Sequence, residues 1–153
     1  RSLTRRQRVH MFVAAMLCIM AISVLKDMNA TSCPWDLAEF GGNAIYVSHW
    51  NWGVFDGGVG RCFPAGHASA AFCFLPGYFW LREKSPRAAK IWLTATLVAG
   101  FTIGLAQQIR GAHYLSHTLW TGWICWIISA LSHGLLEGPW RRLPFLNRGK
   151  GKP

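Results

Sequence analysis

The chain has 153 residues, of which 52% are hydrophobic, 14% aromatic and only 14% charged, yet its formal net charge is +10. A soluble domain carries about 25% charged residues, so this balance argues against one, and the nine tryptophans point towards lipid. The positive charge calls for an anionic partner, either nucleic acid or a membrane surface, and the placement of the basic residues decides between them.

The first apolar stretch runs from about Val9 to Leu25, behind a basic segment. Its length, with no small-residue cleavage site after it, reads as a retained anchor rather than a signal peptide. The sequence opens at Arg1 without an initiator Met, which leaves room for a missing first part. Next comes a long segment, Lys26 to Phe63, rich in Gly, Trp, Asn and Asp. A connection of that length is often functional, and within it Ala38 to Trp52 reads as a short interfacial helix. The second apolar stretch covers about 64–81, interrupted at Pro76-Gly77, the third about 91–109 and the fourth about 118–136. Each approaches the roughly 20 residues that a spanning helix needs. Four such stretches leave too little polar surface for a water-soluble bundle. The expected fold is therefore all-α: one membrane-embedded domain over 1–153, about four membrane helices, and a long external loop (26–63) between the first and second.

The basic residues then sort by side. Arg1, Arg5, Arg6 and Arg8 precede the first helix, and Arg82, Lys84, Arg87 and Lys90 join the second to the third. Arg141, Arg142, Arg148, Lys150 and Lys152 follow the fourth. With four crossings these segments share one side, which the positive-inside rule makes cytoplasmic, with both ends of this chain. Topology and anionic headgroups thus account for the charge, and nucleic acid is not the expected partner. Only Lys26, Arg61 and Arg110 fall on the opposite side. Each alone would be a snorkelling cation; together they suggest a shared anion.

That external side also holds Cys33 and Cys62, which in an oxidising compartment would form a disulfide tying the loop's start to its end. The pair offers too few ligands for a metal. Cys18, Cys73 and Cys125 lie inside apolar stretches and read as small buried hydrophobes. The run Pro64-Ala65-Gly66-His67 reads as a helix N-terminus, where free main-chain N–H groups suit phosphate. Ala65 and Gly66 would let an anion approach, and His67 could donate a proton to a leaving oxygen. In Gln107 to His117, His113 and His117 are four apart, as on one helix face, and Arg110 precedes His113 by three. Phosphoryl transfer needs cations on the equatorial oxygens, an in-line nucleophile and an acid, and a histidine nucleophile is chemically allowed.

At these residues the chain resembles the type-2 phosphatidate phosphatase family, related to vanadium haloperoxidases. That family carries Lys, six residues, then Arg-Pro; here Lys26 is followed by Cys33-Pro34. Its Pro-Ser-Gly-His is matched by Pro64-Ala65-Gly66-His67. Its Ser-Arg, five residues, His, three residues, Asp is matched at His113, while the arginine falls on Gln107 and the aspartate on His117. The resemblance implies a metal-independent hydrolase of a lipid phosphate or diphosphate at the external face of a bacterial-type inner membrane, without cofactor. Undecaprenyl diphosphate, phosphatidate, phosphatidylglycerol phosphate and lipid A are family-type substrates. It implies attack by His113, proton transfer by His67, and phosphate held by Lys26 and the backbone at Ala65 and Gly66. Arg110 and Arg61 would stand in for the missing arginines, and His117 for the aspartate, with Asp27, Asp36 and Asp56 as other possible orienters. The family usually has six membrane helices, and the four here look like its third to sixth. His10, His49 and His133 read as structural, with a place at the interface or near substrate also open to His49, within Ser48-His49-Trp50. Two other readings remain at this stage: a degenerate member that binds lipid or anion without turnover, and a haem-binding electron carrier using His67, His113 and His117.

Overall fold

A computed structural model describes residues 2–138; Arg1 and the basic residues from Arg141 onward lie outside the described residues. Five α-helices, two single 3₁₀ turns and no strand make up the described chain. Helix α1 (Arg5–Met28) opens with a reciprocal cap, in which Thr4 Oγ1 accepts from Gln7 N–H and Gln7 Oε1 accepts from Thr4 N–H, both at 3.2 Å. The external loop leads to α2 (Gly66–Phe72) and α3 (Pro76–Leu81), and then to α4 (Pro86–Ile109) and α5 (Leu115–Leu136). Ser85 caps α4 ahead of Pro86, whose missing N–H costs nothing at a helix start.

Three helices, α1, α4 and α5, are long and apolar enough to cross a membrane. The second stretch departs from the expected single span. It forms α2 and α3, because Pro76 has no N–H to donate and the chain between them takes tighter bonds, Phe74 N–H to Ala71 O and Leu75 N–H to Phe72 O. This broken helix sits at the centre, packed against α1, α4 and α5, and buries Ala68, Ala71, Phe72, Leu75, Phe79 and Trp80.

The long helices invert the pattern of a soluble bundle. Along α5 the buried positions are His117, Thr118, Thr121, Cys125, Ser129, Ser132 and His133, while Leu119, Trp123, Ile127, Leu131 and Leu135 are exposed. Helix α4 turns Gly100 and Gly104 inward and Val98, Phe101 and Leu105 outward. Small and polar residues at the seams with large apolar ones outside is how helices pack in lipid. A Cβ on Gly100 would lie 2.3 Å from Phe72 Cε1, and one on Gly104 2.3 Å from Thr118 Cγ2, so both glycines permit close approach.

The helices alternate in direction, which gathers the basic ends. Arg6 and His10 of α1 pair with Glu137 after α5, and Lys84 of the α3–α4 turn donates to Ser2 O. At the other end the external loop folds over the bundle. Expected to be helical over Ala38–Trp52, it has only a 3₁₀ turn at Ala38–Phe40 there. Gly41, at φ 92°, turns the chain back so that Ala44 N–H reaches Asp36 O at 2.8 Å. The loop's ends run side by side, Arg61 N–H to Asn29 O and Cys62 N–H to Thr31 O, joined by the Cys33–Cys62 disulfide.

Candidate functional site

Four segments meet beneath that loop. Lys26, in the last turn of α1, lies along the start of α2: a Cβ on Gly66 would stand 3.5 Å from Lys26 Nζ and 3.6 Å from its Cδ. His67 follows on the first turn of α2 and is exposed. His113 stands in the α4–α5 turn, 4% exposed, with its ring centroid 6.1 Å from that of His67. His117, in the first turn of α5 and 1% exposed, lies 5.8 Å from His113. His113 is not itself helical, since α5 begins at Leu115, yet the turn keeps the two imidazoles adjacent. The structure therefore brings Lys26, Gly66, His67, His113 and His117 into one cluster.

The remaining candidates are placed differently. Arg61 is ion-paired with Asp27, both side chains more than half exposed. Arg110 caps the end of α4 and reaches back to Gln107 Oε1 at 3.5 Å. The positive groups that act on His113 are Lys26 and His67. Ala65 lies against the start of α5. Its N–H donates to His117 O at 3.4 Å and its carbonyl accepts from Thr121 Oγ1 at 3.1 Å. Both groups tie Ala65 to α5, where the chains cross.

No carboxylate is hydrogen-bonded to His67, His113 or His117 among the described residues. Asp27 holds Arg61, Asp36 accepts from Trp35 Nε1, and Asp56 accepts from Ser32 N–H and Oγ and from Gly58 N–H. Behind His113 stands the disulfide, with Cys62 Sγ 3.5 Å from His113 Nδ1. The two sulfurs and a His113 nitrogen lie within 4.8 Å of one another, but bonded sulfurs are not the thiolates a metal takes. Burial first, then the charges of Lys26 and His67, push the His113 imidazole down to about 4, against the opposing pull of the Cys62 carbonyl. At neutral pH the ring keeps a lone pair, as a nucleophile must.

Two further aromatic residues stand at the site: Phe63, which the sequence does not single out, and His49, for which a place near substrate is one alternative. His49, read as structural, stacks on Phe63 at 4.5 Å and stands edge-on to His117 at 5.3 Å. Phe63 is itself edge-on to His117 at 5.2 Å. The aromatic context Ser48-His49-Trp50, in a loop tied down by cysteines, was the available signal. His10 and His133 lie at the opposite end, beside Glu137 and Glu83.

The cluster of Lys26 and three imidazoles at the end of the helical bundle has a counterpart in a known family. A family model described as the PAP2 superfamily matches residues 8–140. No curated protein and no solved structure matches the chain. The matched span covers every clustered side chain and all helices but the first three residues of α1, and the chain belongs to the PAP2 superfamily, whose members are generally phosphatases acting on phosphate esters.

Proposed function

We propose that the chain hydrolyses a lipid phosphate or diphosphate at the external face of a bacterial-type inner membrane, without a metal, through a phosphohistidine on His113. The carrying observation is the convergence of Lys26, Gly66, His67 and a buried, neutral His113 at one bundle end. In this reading Lys26 and the Gly66 backbone hold the phosphoryl oxygens. His113 attacks phosphorus as the P–O bond to the leaving group breaks, and His67 gives that oxygen its proton. His67 then takes a proton from water, whose oxygen attacks phosphorus as the P–N bond breaks and His113 is restored. The basic residues at the opposite end support placing this site on the external side.

A groove favours a lipid over a soluble ester. About 380 Å³ lies between α2 and α4, lined by Ala70, Ala71, Phe74, Trp92, Ala95 and Ala99. On α2, Ala70 and Ala71 follow His67 at steps of three and four, and Phe74 stands in the turn just past that helix, so the groove descends from the proton donor along the α2 face. A leaving group protonated by His67 would continue into it as an apolar chain. His113→Ala should abolish phosphate release from phosphatidate in detergent micelles; full activity in that variant rejects the reading. The missing carboxylate favours a second reading, anion binding without turnover, which vanadate binding with no phosphate release would support. The imidazoles cluster under the loop, not on facing helices at mid-depth as a haem carrier requires.

A further inference from the structure

We infer that the tip of the external loop is a membrane anchor, seating Trp50, Trp52 and Phe55 among the headgroups and upper acyl chains of the leaflet at this end of the bundle. The partner is the phospholipid bilayer itself. Residues 40–55 contain no Asp, Glu, Lys or Arg. The next acidic group, Asp56, is 4% exposed and is occupied by hydrogen bonds from Ser32 and Gly58. Yet Ile45, Tyr46, Trp50, Trp52 and Phe55 are all exposed. A contiguous exposed apolar patch marks an interaction surface, and Trp and Tyr are the side chains that settle where hydrocarbon meets water.

The tip lies beside the bundle as well as over its end. Trp50 meets Trp120 edge-on, with ring centroids 5.1 Å apart. Helix α5 begins at Leu115, so Trp120 stands about 7.5 Å along its axis at a rise of about 1.5 Å per residue. Next to Trp120, Leu119 and Trp123 are exposed on the face that α5 turns to lipid. The apolar surface of the tip is therefore continuous with a lipid-facing helix surface. No helix is needed to present it. Two turns fold the tip, Asn51 N–H to Ser48 O and Val54 N–H to Asn51 O, and Ile45 N–H to Asp56 O closes its base. Gly53, at φ 77°, takes the left-handed backbone between Trp52 and Val54. Just before the anchor, His49 stacks on Phe63 and stands edge-on to His117. Seating the tip thus holds the histidine cluster at headgroup depth, where a phosphate carried on a lipid resides. That consequence rests on the proposed function; the anchor itself does not.

The test attaches a nitroxide at Trp52→Cys and, separately, at Phe55→Cys, in the full chain reconstituted in phosphatidylcholine vesicles. Glu39→Cys, at an exposed charged position of the same loop, is the control. The native free thiols are buried and Cys33 is bonded to Cys62, so the label goes to the introduced cysteine. Collisions with oxygen, which concentrates in lipid, are compared with collisions with a water-soluble nickel chelate. We expect oxygen to dominate severalfold at positions 52 and 55, and the chelate to dominate at position 39. Dominance of the chelate at 52 or 55 overturns the inference. Shielding of either label from both reagents also overturns it, because it would mean a protein cover, a second copy included. The measurement uses no substrate, so a protein that releases no phosphate can still support the anchor, and a tip exposed to water leaves the chemistry at His113 to its own assay.

Discussion

The protonation of His113 offers the sharpest quantitative check on the site. Its imidazole sits at about 4 because burial disfavours the charged form and Lys26 adds a like charge; the ordinary value is 6.5. At pH 5.5 a group titrating at 4 is about 3% protonated, whereas one at 6.5 is about 90% protonated. The wild-type ring is therefore neutral and nucleophilic across that range, and loses its lone pair only as the pH falls through about 4. A ring-NMR titration, assigned by the signal lost in His113→Gln, reads this without any substrate. Lys26→Met removes one of the neighbouring charges, which favours the imidazolium, so the midpoint must rise towards 6.5. A wild-type midpoint near 6.5 refutes the burial of His113, and an unmoved midpoint in Lys26→Met refutes the placement of Lys26 beside it.

Filling the groove with Ala99→Trp should cut kcat/KM on a long-chain lipid phosphate several-fold and leave hydrolysis of a water-soluble phosphate ester unchanged; equal losses on both would deny it to the lipid chain. The Cys33–Cys62 bond closes a loop with a sequence separation of 29, which by loop entropy stabilises by about 4 kcal/mol. Cys33→Ser or a reductant should lower the melting temperature in detergent, a shift that equal melting curves would contradict. Gly100→Ala places a Cβ 2.3 Å from Phe72 Cε1 and should destabilise by about 1–3 kcal/mol. Gly122→Ala meets the same ring at an ordinary 3.4 Å and serves as the neutral control in the same melting assay.

Much of the bundle was readable because lipid imposes a length on apolar runs. The expected spans at about 9–25, 91–109 and 118–136 lie inside α1, α4 and α5, and the true helices extend past them into capped polar ends such as Thr4 and Ser85. In the central stretch the interruption expected at Pro76-Gly77 becomes a full break between α2 and α3, set by hydrogen bonding around Pro76, which hydropathy does not count. The external loop carries no period at all. Its course depends on the disulfide, on the Asp56 carboxylate gripping Ser32, and on Gly41, none of which a helical or strand pattern encodes. For that reason Lys26, Gly66, His67, His113 and His117, which sit at or beside helix ends, could be grouped from spacing, and His49 could not. The commitment of the Ala65 amide to His117 O was equally hidden, since it follows from how α2 crosses α5.

The departures from the family motifs also make sense jointly once the geometry is known. The pattern's two arginines fall on Cys33 and Gln107 and its aspartate on His117. Losing two cations and one anion removes only one net positive charge, so a phosphate meets less repulsion than it would had the carboxylate stayed. Position 33 has exchanged a clamp for a staple: Cys33 holds Cys62, and Cys62 Sγ lies against His113 Nδ1. His113 is thus backed by a covalent cross-link, while in the family pattern a carboxylate orients the matching histidine. Its neutrality follows from burial and Lys26. A restored His117→Asp would add an anion beside His113 and raise its midpoint above about 4.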